Sequence, residues 1–388
     1  MRVLVTDGDT RAALAVTRSL GRIGHDVHVS APAKLSLAGS SRYATENHRQ
    51  ADLAAGPVAL ERSLIRLFAE IDPDLVFGVT DRTLTVLHGL SAPLPPGTLP
   101  PPSAELYAGA SDKVRLFETC LETGIAVPEG VVVDGGALPP SEVVEALGQP
   151  VVVRPALSWR VDQGRWVQGR VSYEPDLASI ASRQRADHAL SFPYLVQRKV
   201  EGEGCGLFLL AENGTILRTF AHRRLREKPP SGGVSTLCET VAPPADLAAA
   251  AGRLVEALRW SGLAMMEFKR ARMGGEPLLL EVNARPWGSM ALAIASGVDF
   301  PAEWIAMARQ RTPPGRTGYE EHVRLRWWWG DVDHFFLREK AAGRSGAQAV
   351  LRALGRAVAA GPWPEAWDTF RRDDPVPFLV ETSLWLSN

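Results

Sequence analysis

Residues 263–285 run Leu263-Ala-Met-Met-Glu267-Phe-Lys-Arg-Ala-Arg-Met273-Gly274-Gly275-Glu-Pro-Leu-Leu-Leu-Glu281-Val-Asn283-Ala-Arg285 and read as a β-hairpin turning near Met273-Gly274-Gly275. Closure about Gly274 makes Glu267 and Glu281 direct cross-strand neighbours on one face, and the period-two alternation of a strand adds Asn283 to them. Like charges placed opposite each other destabilise a sheet. A divalent cation between them removes the conflict, because Mg²⁺ takes oxygen ligands and is held by one or two carboxylates plus substrate phosphates. The hairpin therefore reads as a metal-nucleotide platform. The competing reading is an exposed hairpin with two solvated glutamates, since a one-residue slip in register sends the acids to opposite faces.

The 388 residues suffice for two or three domains with their own cores. Lys plus Arg (43) nearly balances Asp plus Glu (44), so no global field recruits nucleic acid or an anionic membrane, and charge recognition must be local. Cys120, Cys205 and Cys238 are far apart and form no Cys-x-x-Cys pair, which suggests neither a zinc site nor a disulfide framework and fits a reducing cytoplasm. The opening Met1-Arg-Val-Leu-Val-Thr-Asp7 is too brief an apolar run for a signal peptide or a transmembrane span, so a soluble, cytoplasmic protein is expected.

Toward the amino terminus, a strand at 2–6, a helix from Arg11 to Leu20 and a strand at Asp26–Ser30 make a βαβ opening. Its turn, Asp7-Gly8-Asp9-Thr10, lacks the Gly-x-Gly-x-x-Gly spacing of a dinucleotide site. A helix at 58–70 and a strand at Asp74–Val79 follow, ending at Thr80-Asp81-Arg82. Asp9, Thr10 and Asp81 lie at strand ends, where open α/β sheets bind ligands, and each is equally suited to cap a helix. A proline-rich stretch from Pro93 to Pro102 closes this unit.

Beyond it, Ser111 is the expected cap of a helix that Gly124 and Pro128 close, with Lys113 just inside its start. A lysine there opposes the helix dipole unless it reaches a phosphate; the alternative is a solvated surface lysine. Arg154 ends the apolar strand 149–155 and needs an anionic partner if it faces inward. A poorly patterned, glycine-containing loop spans 158–170, and a strand at 194–200 runs into Glu201-Gly202-Glu203-Gly204. In His222-Arg223-Arg224-Leu225-Arg226, strand alternation places His222, Arg224 and Arg226 on one face, a triple cation for a substrate carboxylate or a protective edge strand. The Ser231-Gly232-Gly233 loop could bring backbone N–H groups to the same anion. Trp287 reads as core, and the Trp327-Trp328-Trp329 run, Asp331, Asp333 and Arg371–Pro375 carry no assignable chemistry, while 346–360 has helical spacing.

Taken together, Ser111-Asp112-Lys113, Val151–Pro155, Val196–Gly202 and the Glu267/Glu281/Asn283/Arg285 hairpin resemble the ATP-grasp superfamily, in order and spacing as well as in type. Phe220–Glu227, Ser231–Ser235, Met266–Lys269 and Glu281–Ser289 are similar to a predicted carboxylate-amine ligase branch of it. The resemblance implies a mixed α/β and α+β architecture. Its parts would be an open α/β pre-ATP-grasp domain (1–105), a two-part ATP-grasp module (106–310, lid subdomain about 115–200) and a small, mostly helical carboxyl-terminal appendage (311–388). It also implies ATP and Mg²⁺ (or Mn²⁺). Lys113 and Arg154 would bracket the phosphates, Gln197, Arg198, Lys199 and Val200 would form the adenine hinge, and Glu203 would meet the ribose. Glu267, Glu281 and Asn283 would hold the metal, Arg285 would reach the transferred phosphoryl group, and Arg224 and Arg226 would hold the substrate acid. Arg154 stands where lysine is commoner, and 158–170 lacks the compact Gly-Gly-Ser-Gly type of phosphate cover, which weakens the expectation of an ordered lid.

The implied reaction joins a small-molecule carboxylate to an amine through an acylphosphate, releasing ADP and phosphate. Phosphoryl transfer asks a protein mainly for positioning and charge neutralisation, which suits these residues. The competing readings are an ATP-grasp kinase or carboxylase and a nucleotide-binding regulatory protein of the same fold without turnover. No nucleic-acid or membrane partner is expected, and a homodimer is the default assembly.

Overall fold

The computed structural model describes residues 1–92, 94–100, 102–230, 232–271, 275–310, 318–361 and 363–387. The amino-terminal unit comprises β1 (Arg2–Val5), α1 (Arg11–Arg22), β2 (Asp26–Ala31), β3 (Glu46–Arg49), α2 (Pro57–Ile71), β4 (Leu75–Phe77) and α3 (Asp81–His88). Its four strands form a parallel sheet in the order β3-β2-β1-β4. Strand β1 is apolar on both faces because helices cover both: Val3 and Val5 join the core containing α1, and Leu4 joins the one containing α2. Thr10 caps α1 and Thr80 caps α3, leaving Asp81 as the first residue of α3.

Helices α4 (Ala104–Ser111) and α5 (Lys113–Thr123) meet end to end. The cap of α5 is Asp112, which accepts from the Val114 and Arg115 amides, and not Ser111 as the sequence suggested. Ser111 is already the last residue of α4, so the non-helical backbone that a cap requires falls to Asp112 (φ −82°, ψ 111°). Next come β5 (Gly130–Val133), α6 (Ser141–Leu147), β6 (Val151–Pro155), β7 (Trp159–Asp162), β8 (Arg165–Gln168), β9 (Ser172–Glu174), α7 (Leu177–Ala186) and β10 (Tyr194–Arg198). Four of them make the antiparallel sheet β5-β10-β6-β9.

The segment 158–170, expected as a patternless loop, is largely a two-stranded hairpin of β7 and β8. Gln163 and Gly164 both take positive φ (46° and 73°), the conformation that matches a tight turn to strand twist. Trp159 packs edge-on to Trp166 at 6.1 Å, and the Arg82 guanidinium of α3 lies 4.6 Å from the Trp159 ring.

The large sheet is built from β11 (Gly202–Glu212), β12 (Thr215–Lys228), β13 (Val234–Val241), β14 (Gly262–Ala271), β15 (Leu278–Asn283), β16 (Arg324–Arg326) and β17 (Ala366–Trp367), in the order β15-β14-β11-β12-β13-β16-β17. Alternation along β11 sends Leu207 and Leu209 to one core with α8 (Ala245–Ala257), and Phe208 and Leu210 to the other with α9 (Met290–Ser296) and α10 (Phe300–Ala308). Trp287 is buried against Phe208 and Phe300, as expected of a core residue. No single helix among the described residues is long and apolar enough to cross a membrane.

The carboxyl-terminal segment holds α11 (Trp328–Ala341), α12 (Gly346–Ala359) and α13 (Val376–Ser387), and it also supplies strands β16 and β17. Its acids reach far back along the chain. Buried Arg18 of α1 donates from Nε to Asp374 (2.8 Å) and through its two terminal nitrogens to the Asp368 and Thr369 carbonyls (3.0 and 2.8 Å). Arg11 pairs with buried Asp368.

Strand β12 does not gather three cations. Its pairing with β13 shifts register between Arg224 and Arg226, breaking the simple alternation on which that reading relied. Arg226 binds buried Asp331 through two nitrogens (2.6 and 2.8 Å), and the same carboxylate takes Nε of fully buried Arg326 at 2.7 Å and the Thr236 hydroxyl at 3.0 Å. His222 is buried, its ring 4.7 Å from Phe208 and its Nε2 2.9 Å from the Ser289 hydroxyl. Burial, aided by neighbouring Arg224, brings its pKa down to about 3, so the ring is neutral. Arg224 alone remains of the expected triple cation.

Two outcomes follow. Asp331→Asn leaves two guanidiniums without their carboxylate and should lower unfolding stability by roughly 3–5 kcal/mol in urea titrations. For His222, the unfolded ring takes up a proton near its ordinary pKa of about 6.5 while the folded ring resists. Its contribution is therefore intact above that pH and lost as pH falls toward 3. Urea midpoints at pH 7.5 and 5.0 should differ less in His222→Gln than in the unaltered chain.

Candidate active site

The site is built on the β14–β15 register. Glu267 pairs directly with Glu281, and Met265 pairs with Asn283. Pairing then slips by one residue, resuming at Phe268 with Leu279, so that Leu280 is the extra residue of a bulge. The Leu280 carbonyl accepts from Arg154 Nη1 at 2.8 Å. The turn expected at Met273-Gly274 falls outside the described residues.

Two cations converge on this pair from other elements. Lys113 is the first residue of α5; its Nζ lies 3.7 Å from Glu281 Oε2 and 3.1 Å from the Ser158 hydroxyl. Arg154, near the end of β6, places Nη2 3.3 Å from the same Glu281 oxygen. Both cations are buried, and together they meet one carboxylate oxygen. Burial lowers the pKa of each against the attraction of Glu281. Burial raises the Glu267 carboxyl, and the nearby Glu281 charge adds to it. For Glu281 burial works the same way, but Lys113 and Arg154 outweigh it and hold this carboxyl below its ordinary range.

Asn283 donates from Nδ2 to Glu281 Oε1 (3.3 Å) and accepts at Oδ1 from Arg285 Nη2 (3.3 Å). Arg285 Nε in turn pairs with Asp81 of α3 at 2.9 Å, joining the hairpin strand to the amino-terminal unit. Arg224 lies 3.4 Å from Glu267 and 3.1 Å from Glu227. The structure thus brings together Lys113, Arg154, Glu267, Glu281, Asn283, Arg285 and Arg224. Arg226 is not among them, because Asp331 holds it.

The expected hinge residues lie apart from this cluster. Gln197 is buried and donates to the Pro128 carbonyl (3.2 Å), while its amide oxygen has no partner among the described residues. Arg198 is exposed and pairs with Glu129 (2.7 Å), Lys199 pairs with Glu201, and Val200 is half-buried. Glu203 is exposed on β11, opposite Arg270 of β14. Ser158 and Glu227 escaped the sequence reading because a lone serine and a lone acid carry no pattern. For Asp81 the strand-end position was the signal, and Arg285 is the partner it could not name.

A cavity of about 470 Å³ opens beside the cluster, lined by Asp81, Tyr107, Lys113, Ser158, Glu281 and Asn283 among others. A second, of about 490 Å³, shares Asp81 and Trp159 with it and is lined by Asp9, Thr10, Arg82, Arg285 and Gly288. The paired Asp81 and Arg285 therefore stand where the two spaces adjoin. Neither lining includes residues 197–200.

Residues 191–329 match the family described as ATP-grasp in the biosynthetic pathway with Ter operon. No curated protein matches the chain in sequence. Among solved structures, the chain is similar to an ADP complex of N5-carboxyaminoimidazole ribonucleotide synthetase, at 15% identity and TM-score 0.61, over 92% of this chain and 95% of that one. It is likewise similar to biotin carboxylase from Campylobacter jejuni (15% identity, TM-score 0.61, covering 83% and 74%). A third likeness is to an L-amino acid ligase from Bacillus licheniformis (16% identity, TM-score 0.55, covering 79% and 73%). Residues 191–329, which hold the hairpin acids, thus match an ATP-grasp family, and the likenesses to these solved structures show that the chain shares their fold.

Proposed function

We propose that this chain is an ADP-forming carboxylate-amine ligase that uses ATP and Mg²⁺ at the Glu267/Glu281 hairpin. One observation carries the reading: Lys113 and Arg154, both buried, aim at a single oxygen of Glu281, which stands opposite Glu267. Two buried cations converging on one point fit a polyphosphate, and two facing acids fit a divalent cation. The unpartnered Gln197 amide oxygen fits an amine donor such as an adenine edge.

In this reading Lys113 and Arg154 bind the nucleotide phosphates, and Glu267, Glu281 and Asn283 hold Mg²⁺, which when bound neutralises charge developing between phosphate oxygens. Residues Gln197 to Val200 and Glu203 serve the nucleoside. Arg285, fixed by Asp81 and Asn283, steadies the phosphoryl group as a substrate carboxylate accepts it, and an amine then displaces phosphate. Arg224 meets the substrate acid, which enters from the cavity beyond Arg285. Residues 1–105, 106–310 and 311–388 are the working domain divisions. A carboxylase-type product is the second reading, favoured by the likeness to biotin carboxylase.

The test is Mg²⁺-dependent ADP and phosphate release against pooled acids and amines, with product analysis. Release that requires one acid and one amine together supports the ligase, and release with bicarbonate in place of the acid supports the carboxylase. In Glu281→Gln, turnover should fall about 10²-fold while the circular dichroism spectrum is unchanged; near-normal turnover sinks the assignment. Arg154→Lys keeps the charge but loses the planar fork, so the KM for ATP should rise roughly tenfold with kcat little altered.

A further inference from the structure

Strand β3 reads Glu46-Asn47-His48-Arg49 and forms the edge of the amino-terminal sheet without one apolar side chain. Burial of hydrophobic surface therefore does not hold it to β2. Asn47 is tied to the preceding loop by the Ser36 hydroxyl (2.6 Å) and the Lys34 carbonyl (2.8 Å). On the alternate positions, the parallel register sets Glu46 beside His28 and His48 beside Ser30, so Asp26, His28, Glu46 and His48 share one face.

The imidazoles are close enough to share a proton: His28 Nδ1 lies 2.8 Å from His48 Nε2, and both side chains are largely buried (12% and 13% exposed). A Glu46 oxygen lies 3.7 Å from His48 Nε2 and an Asp26 oxygen 3.5 Å from His28 Nε2. One donor atom each from His28, Glu46 and His48 fall within 4.8 Å of one another.

We infer that His28 Nδ1, His48 Nε2 and the Glu46 carboxylate form a binding site for a borderline divalent cation of the Zn²⁺ type, clipping the edge strand to the sheet. Imidazole with carboxylate is a donor set such ions accept, with water completing a tetrahedron. Two nitrogens each about 2.0–2.1 Å from a tetrahedral ion stand roughly 3.3 Å apart, so the rings need to part by only about half an ångström. Glu46 is exposed and can turn inward. Asp26, beside Nε2, accepts the His28 ring proton there and leaves Nδ1 as the ligating atom, the usual service of an outer carboxylate to a metal-bound histidine. The hard Mg²⁺ ion, which prefers oxygen, is a poor occupant, and this separates the site from the acidic hairpin.

The experiment uses the full chain, stripped with chelator and kept in millimolar Mg²⁺ so that oxygen-ligand sites are filled. Zn²⁺ is titrated in competition with a chromophoric chelator, and Co²⁺ is added separately for its visible spectrum. The expected result is one Zn²⁺ per chain, a four-coordinate Co²⁺ absorption and a Zn²⁺-dependent rise in the unfolding midpoint. His48→Gln should weaken Zn²⁺ binding at least 100-fold and abolish the Co²⁺ band, with the spectrum in chelator reporting its folding. Asp26→Asn keeps all three ligands and should weaken binding about 10–100-fold. Absence of the Co²⁺ band in the unaltered chain, or equal Zn²⁺ affinity in it and both variants, overturns the proposal.

Discussion

Glu267 and Glu281 face each other across two hydrogen-bonded strands, a placement that on its own repels. The surrounding chain is arranged to make it tolerable. Lys113 arrives from a helix start, Arg154 from a separate sheet, and Arg224 from the next-but-one strand of the same sheet. Their positions are what the small sheet and helix α5 must deliver, which explains why a buried lysine opens that helix against its dipole. The bulge at Leu280 belongs to the same arrangement, since it frees a carbonyl for Arg154 and so sets that guanidinium against Glu281.

A second constraint acts at a distance. Buried Arg18 and the partly buried Arg11 and Arg226 are matched to Asp374, Asp368 and Asp331 of the carboxyl-terminal segment. Burying a guanidinium without a partner is costly, and removing either member of such a pair strands the other. The segment therefore completes the electrostatics of both the amino-terminal helix and the large sheet. It also borders the cavity next to Arg285, which Trp327, Glu381 and Leu384 help to line.

The parts of this fold legible in the sequence are those governed by local periodicity. The Glu267–Glu281 register follows from counting residues about a turn, and the βαβ opening from apolar spacing, because both depend on neighbours in the chain. What was not legible depends on distant partners. Arg226 looked like its neighbour Arg224 until Asp331, 105 residues away, took it. His222 counted as a cation in sequence, whereas its burial against Phe208 makes it neutral. The hairpin at 159–168 was hidden because arginines and tryptophans masked its alternation and Gln163-Gly164 is a less familiar turn pair than Asn-Gly. The tail acids had no pattern at all, since Asp331, Asp368 and Asp374 each take an arginine partner 105 or more residues away.

The pairing of Arg18 with residues 368–374 spans some 350 positions. Domains made early in synthesis ordinarily fold as they emerge from the ribosome. Here helix α1 is made some 350 residues before the acceptors that its inward guanidinium requires. The amino-terminal sheet can collapse early, but the inner face of α1 carries an unanswered charge until the distal segment arrives. Completion of the amino-terminal unit is thus coupled to synthesis of the distal segment, which raises the contact order of an otherwise local α/β unit and delays its final locking step until residues 368–374 have emerged.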